Sequence, residues 1–596
     1  MKKQPERSEV PEELKWRLED IFCSDEEWEK GMSLLSEMTG KMSGYKGKLG
    51  DPDILLEAMG SSVEAEKLSE KVYAYAKMRR DEDNANMRHQ AMAARALSAL
   101  VKFEEEVSYM APELLAIPEE EFASFFDRVE KLMPYKRHLY EIVRKRRYVL
   151  SEKEERILAL SSEMADGTKN AFSMLNNADI KFGTVIADNE EIEITHARFG
   201  LLMRHPDRNV RKETFEVFYR QYEGRKNTLS ALLSGSVKGD LFYTRARGYE
   251  STLAAALFED NVPVSVYQGL IEAVNKHIGS LHRYISLRKK AFNIDKVHLY
   301  DLYAPIAKDV EFGINYVEAS RLIREALAPL GSEYAEVLDE ALCGRWIDVM
   351  ENRGKTSGAY SWGLWSAHPF MLLNWQDNLD NAFILVHELG HAMHSRYSSA
   401  AQPYIDAHYK IFVAEVASTV NEALMMAHLI KNADSKEKKA MLLNHHLESF
   451  RTTFFRQTMF AEFEADMHAA AQRNEPLTAE SIGKDYTGLN SRYHGQDMEI
   501  DPQVALECLR VPHFYNSFYV YKYATGFASA IAISRAILEG EAGARERYID
   551  FLKAGGSDYP LEILKKAGVD LTTDRPIMNC INVFDETLSE FEKLLG

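Results

Sequence analysis

The stretch His387-Glu388-Leu389-Gly390-His391 combines residue types and spacing that name a chemistry, an HExxH. In an α-helix, residues four apart lie about 40° around and about 6 Å along the axis, so both imidazoles can reach one cation. Glu388 falls about 100° from His387, beside such a cation rather than on it. That position suits a base taking a proton from activated water. The competing reading is a helix with two histidines packed in the core. A catalytic zinc usually keeps three protein ligands and one open position. His394 is near the same face, but about 10.5 Å of helix rise separates it from His387. Bonds near 2 Å do not let one straight helix span that gap. Glu415, in KIFVAEVASTVNEALMMAHLIKN, is the better third ligand. It sits among Phe412, Val413 and Val416, where a carboxylate is costly unless paired or metal-bound. Glu422, on the same face beyond Ser418 and Thr419, reads as part of a solvated face, with orientation of the ligands as the alternative.

Positioning these residues requires a helix, and NLDNAFILVHELGHAMHS supplies one, with Asp380 as its expected cap and Phe383, Ile384 and Val386 burying it. Ahead of it, residues 345–375 are rich in Gly, Ser and aromatics and include the apolar run Phe370 to Leu373, a β-like patch. From Ser61 to Met110 the periodicity predicts two amphipathic helices. Leu68, Val72, Tyr75 and Ala76 stripe one, and Leu97, Leu100, Phe103, Val107 and Met110 the other. The polar run Asp81 to Asn86 breaks them. In IKFGTVIADNEEIEITHARF, β-branched alternation flanks an Asp-Asn turn signal, which predicts a small hairpin and a boundary near residue 195. The expected class is mostly α, with a minor sheet before the HExxH helix. A chain of 596 residues exceeds one core, so two or more lobes are expected.

Composition narrows the function. Lys+Arg total 73 and Asp+Glu 92, a balance of −19 that argues against nucleic acid or an anionic membrane as partner. Cys23, Cys343, Cys508 and Cys580 form no CxxC and no disulfide framework, which fits reduced thiols and a cytoplasmic location. No apolar segment follows the lysines after Met1, so no signal peptide is expected. The most apolar stretch, Gly526 to Ile537, is short and interrupted by Ser529, Ser534 and Arg535, so no membrane span is expected. No GxSxG or catalytic Cys context occurs.

Several further segments, in order, carry a resemblance: LKWRLEDIFCSDEEWEK, HPDRNVRKETFEVFYRQYEGRKNTLSALLSG, GKTSGAYSWG, HPFMLLNW and HFYNSFYVYKYATG. With them the chain resembles the oligoendopeptidase F branch of the thimet-oligopeptidase-like zinc peptidases over most of its length. That family carries its Glu ligand some two dozen residues after HExxH, and Glu415 is 24 residues beyond His391 (415 − 391). The resemblance implies one Zn2+ per chain at His387, His391 and Glu415. It implies a mostly α, two-lobed helical ellipsoid with a deep central channel; with the boundary read near residue 195, the expected division is an N-terminal lobe, 1–195, and a peptidase region, 196–596. The expected partners are short flexible oligopeptides, with the chain a monomer or weak homo-oligomer. Gly358, Ala359 and Tyr360 match the segment that pairs with substrate backbone, a β-addition. His513 and Tyr523 match the donors to a tetrahedral oxyanion. Tyr515, Tyr519 and Tyr521 crowd the same stretch, and Tyr519 and Tyr521 are expected on the substrate side. The spacing from His to the last Tyr is shorter here than in the thimet-like pattern. The implied activity is zinc-dependent endopeptidase, with Glu388 as general base. The alternatives are a dipeptidyl-carboxypeptidase-like exopeptidase, for which Lys522 could grip a chain end, and a non-catalytic peptide-binding protein with a structural metal. Cobalt or manganese could occupy the same ligands.

Overall fold

A computed structural model describes residues 4–307, 310 and 312–595; Met1–Lys3, where the chain's first lysines lie, fall outside the described residues. Helices dominate, and the strands are short. A hairpin joins β1 (Thr184–Ala187) to β2 (Glu190–Glu193). Its turn residues Asp188 and Asn189 both have positive φ, 51° and 65°, the primed turn that suits the twist of two-residue hairpins. This is the hairpin expected from the Asp-Asn signal. A second sheet contains β3 (Ile347–Asp348), β4 (Tyr360–Trp362) and β5 (Phe370–Leu372). The buried β5 is central, parallel to β3 and antiparallel to β4, so β4 is an edge strand.

The chain forms two compact units, each assembled from three stretches: Met1–Arg147, Phe312–His428 and Ile533–Gly568 in one, Tyr148–Glu311, Leu429–Ala532 and Val569–Gly596 in the other. The expected break near residue 195 falls inside the second unit. Residues 4–147 join the HExxH segment in the first unit because they cover its sheet. Trp16 packs edge-on to Phe370, with ring centroids 6.3 Å apart. Arg7 donates to both oxygens of Asp348 at 2.7 and 2.5 Å, and Lys355 pairs with the same carboxylate at 2.6 Å. Burial alone would raise the Asp348 pKa, yet these two cations hold it below the usual carboxylate range.

In the first unit α1 (Asp25–Met42), α2 (Pro52–Glu82) and α3 (Met87–Val107) pack on that sheet, with Trp28, Val72, Tyr75, Met78, Met92 and Ala96 buried beside Phe370 and Leu372. Asp51 caps α2 ahead of Pro52, and Asn86 caps α3 after the expected polar break. Leu97, expected in the α3 stripe, is 47% exposed; Phe103 carries the inward face. The unit continues with α4 (Leu379–Ala401), α5 (Ile411–Lys431) and α6 (Ala544–Ala554). The second unit is built around long helices that include Glu152–Met174, Lys226–Arg247 and Arg456–Gln472. Among the described residues no helix is long and apolar enough to cross a membrane, and all four cysteines are free.

Candidate metal centre

Asn378, not Asp380, caps α4: its side chain accepts the Asn381 N–H at 2.9 Å, and Asp380 occupies the first turn. The buried side of the helix also differs from expectation. Leu385, Val386, Leu389, Ala392 and Met393 are inside, while Ile384 is 40% exposed. Behind the helix, α6 supplies a wall. Phe551 packs on His394 with centroids 5.1 Å apart, and Gln402 Nε2 donates to the Lys553 carbonyl at 2.8 Å.

The approach of α5 to α4 is set by Gly390, the fourth residue of the motif. A Cβ there would lie 2.5 Å from Ser418 Cα and 2.7 Å from the Ala417 carbonyl oxygen. Only a glycine permits this contact between backbones. Buried Asn421 reinforces it, donating to the Val386 carbonyl at 3.3 Å while accepting from the Tyr334 hydroxyl at 2.9 Å.

The crossing brings three donor atoms together. His387 Nε2 and His391 Nε2 are 3.2 Å apart, and Glu415 Oε2 lies 3.4 and 3.7 Å from them. Bonds of about 2.0–2.1 Å in a tetrahedral arrangement place ligand atoms about 3.3–3.4 Å apart, so the donor set fits a zinc-sized cation. Among the described residues these three form the group that could hold a metal ion. Phe412, Val413 and Val416 are buried as expected, but the Glu415 side chain itself is 37% exposed and accepts from Ser418 Oγ at 3.0 Å. His394 is apart from the set, buried and stacked on Tyr409 at 3.6 Å.

Glu422 is partly exposed, 35% at its side chain, and pairs with a histidine of the motif. His387 Nδ1 donates to Glu422 Oε1 at 2.5 Å, which leaves Nε2 directed at the cluster. This is the alternative expected from its position on the same face of α5 as Glu415. Burial opposes a charge on His387, but Glu422, with Glu415 and Glu388, overcomes it and raises the ring's pKa to about 9. Burial and the neighbouring His387 push His391 down. Glu388 is 8% exposed; burial, with Glu415 and Glu422, raises its carboxyl to about 7, against the charge of His387 and a backbone hydrogen bond from Ser361 in β4. A buried carboxyl thus lies within electrostatic reach of His387 and Glu415 and outside the three-atom group.

Gly358 precedes β4 with φ +84° and is exposed; its carbonyl accepts from Asn374 Nδ2 at 2.8 Å. Ala359 is half-buried. The Tyr360 hydroxyl donates to Asp81 Oδ2 at 2.8 Å and its ring packs near Trp16 and Trp362, so this side chain is engaged within the fold.

The other predicted residues belong to the second unit. His513 is exposed, and Tyr519 and Tyr523 are half-buried. Their rings gather: His513 is 6.1 Å from Tyr519 and 5.9 Å from Tyr523, which are 5.3 Å from each other. Tyr521, expected on the substrate side, is instead fully buried against Tyr267 at 5.0 Å. Tyr515 is buried too, stacked on Phe172 at 4.3 Å. Tyr519 lies in the turn ahead of the helix that starts at Tyr521, and the ring of Tyr523 meets it from the first turn of that helix.

Comparison with known proteins agrees with a peptidase site. The sequence profile of peptidase family M3 matches residues 201–583, and that of oligopeptidase F matches residues 113–182. Oligopeptidase PepF of Bacillus subtilis is 46% identical over 593 residues, covering 99% of this chain and 88% of the relative. Group B oligopeptidase PepB of Streptococcus agalactiae is 40% identical, covering 99% and 98%. The crystal structure of oligoendopeptidase-F from Enterococcus faecium superposes with a TM-score of 0.74 at 35% identity, covering 96% of this chain and 99% of that one. A profile that spans more than half of the chain, together with relatives alike over nearly all of it, shows that this protein belongs to peptidase family M3, a family of metallopeptidases.

Proposed function

We propose that the chain is a zinc-dependent endopeptidase acting on short unfolded oligopeptides. The observation that carries this reading is the convergence of His387 Nε2, His391 Nε2 and Glu415 Oε2 at 3.2–3.7 Å, with Glu388 buried beside them. These three residues would hold the ion, one per chain. When bound, zinc supplies Lewis acidity, which lowers the pKa of water and polarises a carbonyl. Glu422 accepts from His387 Nδ1 and so turns Nε2 toward the other donors, where a bound ion would take the place of the Nε2 proton. Glu388 accepts the proton of the attacking water and returns it to the leaving amine. Its burial favours this, because a carboxylate out of water is a stronger base. We assign His513 and Tyr523 to the oxyanion that forms at the carbonyl, with Tyr519 beside them in contact with substrate. The backbone of residues 358–360, leading into edge strand β4, is assigned to pairing with an extended peptide. The alternatives are less well supported. Lys522 Nζ pairs with Asp260 at 2.6 Å, so the cation considered for gripping a chain end is already neutralised. A structural zinc normally has four protein ligands, and the group here has three. The free cysteines suit a reducing, cytoplasmic setting.

The test is cleavage of a mixed pool of peptides, about 5–30 residues long, read by mass spectrometry, with wild type and Glu388→Gln both zinc-loaded. Internal cuts by wild type alone are expected. Trimming from one end would make it an exopeptidase, and no cleavage by either protein would leave a binding protein.

A further inference from the structure

Within the second unit, the chain reaches Tyr519 and Tyr523 through a residue in an uncommon backbone conformation. Phe518 has φ +55°, a left-handed geometry that bulky L residues rarely adopt. Its side chain is 2% exposed, between His468 at 4.6 Å and Tyr267 at 5.8 Å. Its backbone N–H donates to Glu464 Oε1 at 3.0 Å. Glu464 projects from the helix Arg456–Gln472 and is 0% exposed. The preceding residue is held as well: Ser517 Oγ donates to Asp240, on the helix Lys226–Arg247. A pocket of about 190 Å³, lined by Asp240, Tyr243, Thr244, Thr252 and Ser517 among others, lies on the Ser517 side. Glu464 Oε2 and both ring nitrogens of His468 are buried without hydrogen bonds, with His468 Nε2 3.9 Å from Asp240.

We propose that Glu464 is a positioning residue for the peptidase reaction: through the Phe518 N–H it holds the left-handed turn that sets Tyr519 and Tyr523 on one face with His513, and Asp240 assists through Ser517. This inference rests on the assignment of His513 and Tyr523 to the oxyanion. It makes the direction of those rings depend on two hydrogen bonds from distant helices rather than on local sequence.

The experiment uses the full-length zinc-loaded enzyme and an internally quenched peptide, comparing Glu464→Met, Glu464→Gln and Ser517→Ala with His513→Ala and Tyr523→Phe. Burial keeps the Glu464 carboxyl well above its ordinary pKa, so Gln is its neutral counterpart with the same acceptor. Glu464→Met is expected to lower kcat by about 10- to 100-fold, the scale of a small misplacement of reacting groups, with KM within about 2-fold. Zinc content should stay at one per chain. Glu464→Gln should restore kcat to within about 3-fold of wild type, since the acceptor for the N–H returns. Ser517→Ala should lower kcat by about 2- to 5-fold. A folded Glu464→Met enzyme with full kcat, while His513→Ala and Tyr523→Phe are impaired, overturns the positioning role alone. Equal losses in Glu464→Gln and Glu464→Met overturn it too. Full kcat in both His513→Ala and Tyr523→Phe overturns the oxyanion assignment and this inference with it. Should Glu464→Met not fold, Ser517→Ala decides, and an unchanged kcat then overturns the proposal.

Discussion

The candidate metal centre and the aromatic segment at residues 513–523 place side chains by opposite means. In the first, two regular helices do the work. The helical period aligns His387 with His391, and Gly390 lets α5 approach until Glu415 reaches them. In the second, the backbone is irregular. A short 3-10 turn at Pro512–Tyr515 and the left-handed Phe518 precede the helix Tyr521–Leu538, and the anchors come from Glu464 and Asp240, 54 and 277 residues away. Side chains on regular helices are placed by local spacing, whereas those on an irregular turn are placed by partners far along the chain.

The comparison can be broken most severely at Glu388. Glu388→Gln should reduce kcat by about 10²–10⁴-fold, the range for a lost general base, while zinc content by elemental analysis stays at one per chain. Retained turnover would remove the helix pair from the chemistry. Next comes the sheet that packs against α4. Asp348→Asn leaves Arg7 and Lys355 without their buried counter-charge and should cost about 3–5 kcal/mol in a urea melt. Because the folded pKa of Asp348 is depressed, its contribution is present above the ordinary carboxylate range and is lost as pH falls through the folded value. Wild type and Asp348→Asn should therefore converge in stability well below pH of about 4. Gly390→Ala drives a methyl group into the α5 backbone and should cost about 1–3 kcal/mol. Unlike Asp348→Asn, it should also weaken zinc retention in competition with a chelator; equal retention would show that the helix contact does not set the ligand geometry. The smallest effect is expected for Glu422→Gln, about 10- to 100-fold in metal affinity with kcat of the loaded enzyme largely kept.

Much of the fold was readable because its signals are local. The Asp188-Asn189 hairpin, the break between α2 and α3, the sheet within residues 345–375 and the HExxH helix all appear where periodicity and turn chemistry place them. The misreadings share one physical cause, dependence on distant packing. A carboxylate such as Glu422 looks the same in sequence whether water or a histidine on another helix faces it. Asn378 and Asp380 are equally competent caps, and the choice between them follows from which face of α4 must be buried. Tyr521 could be told from Tyr519 and Tyr523 only once the start of the helix at residue 521 was known. The compact units are interleaved because Trp16 and Arg7 find their partners more than three hundred residues later, at Phe370 and Asp348.

The wall that α6 builds behind α4 sets the order in which the protein can mature during synthesis. A growing chain has all three candidate ligands once Glu415 is made, yet Phe551 and Lys553, which brace the HExxH helix, emerge from the ribosome much later. The centre thus gains its support near the end of translation, and a stalled chain ending before Ala544 should hold zinc weakly and leave neighbouring nascent peptides uncut.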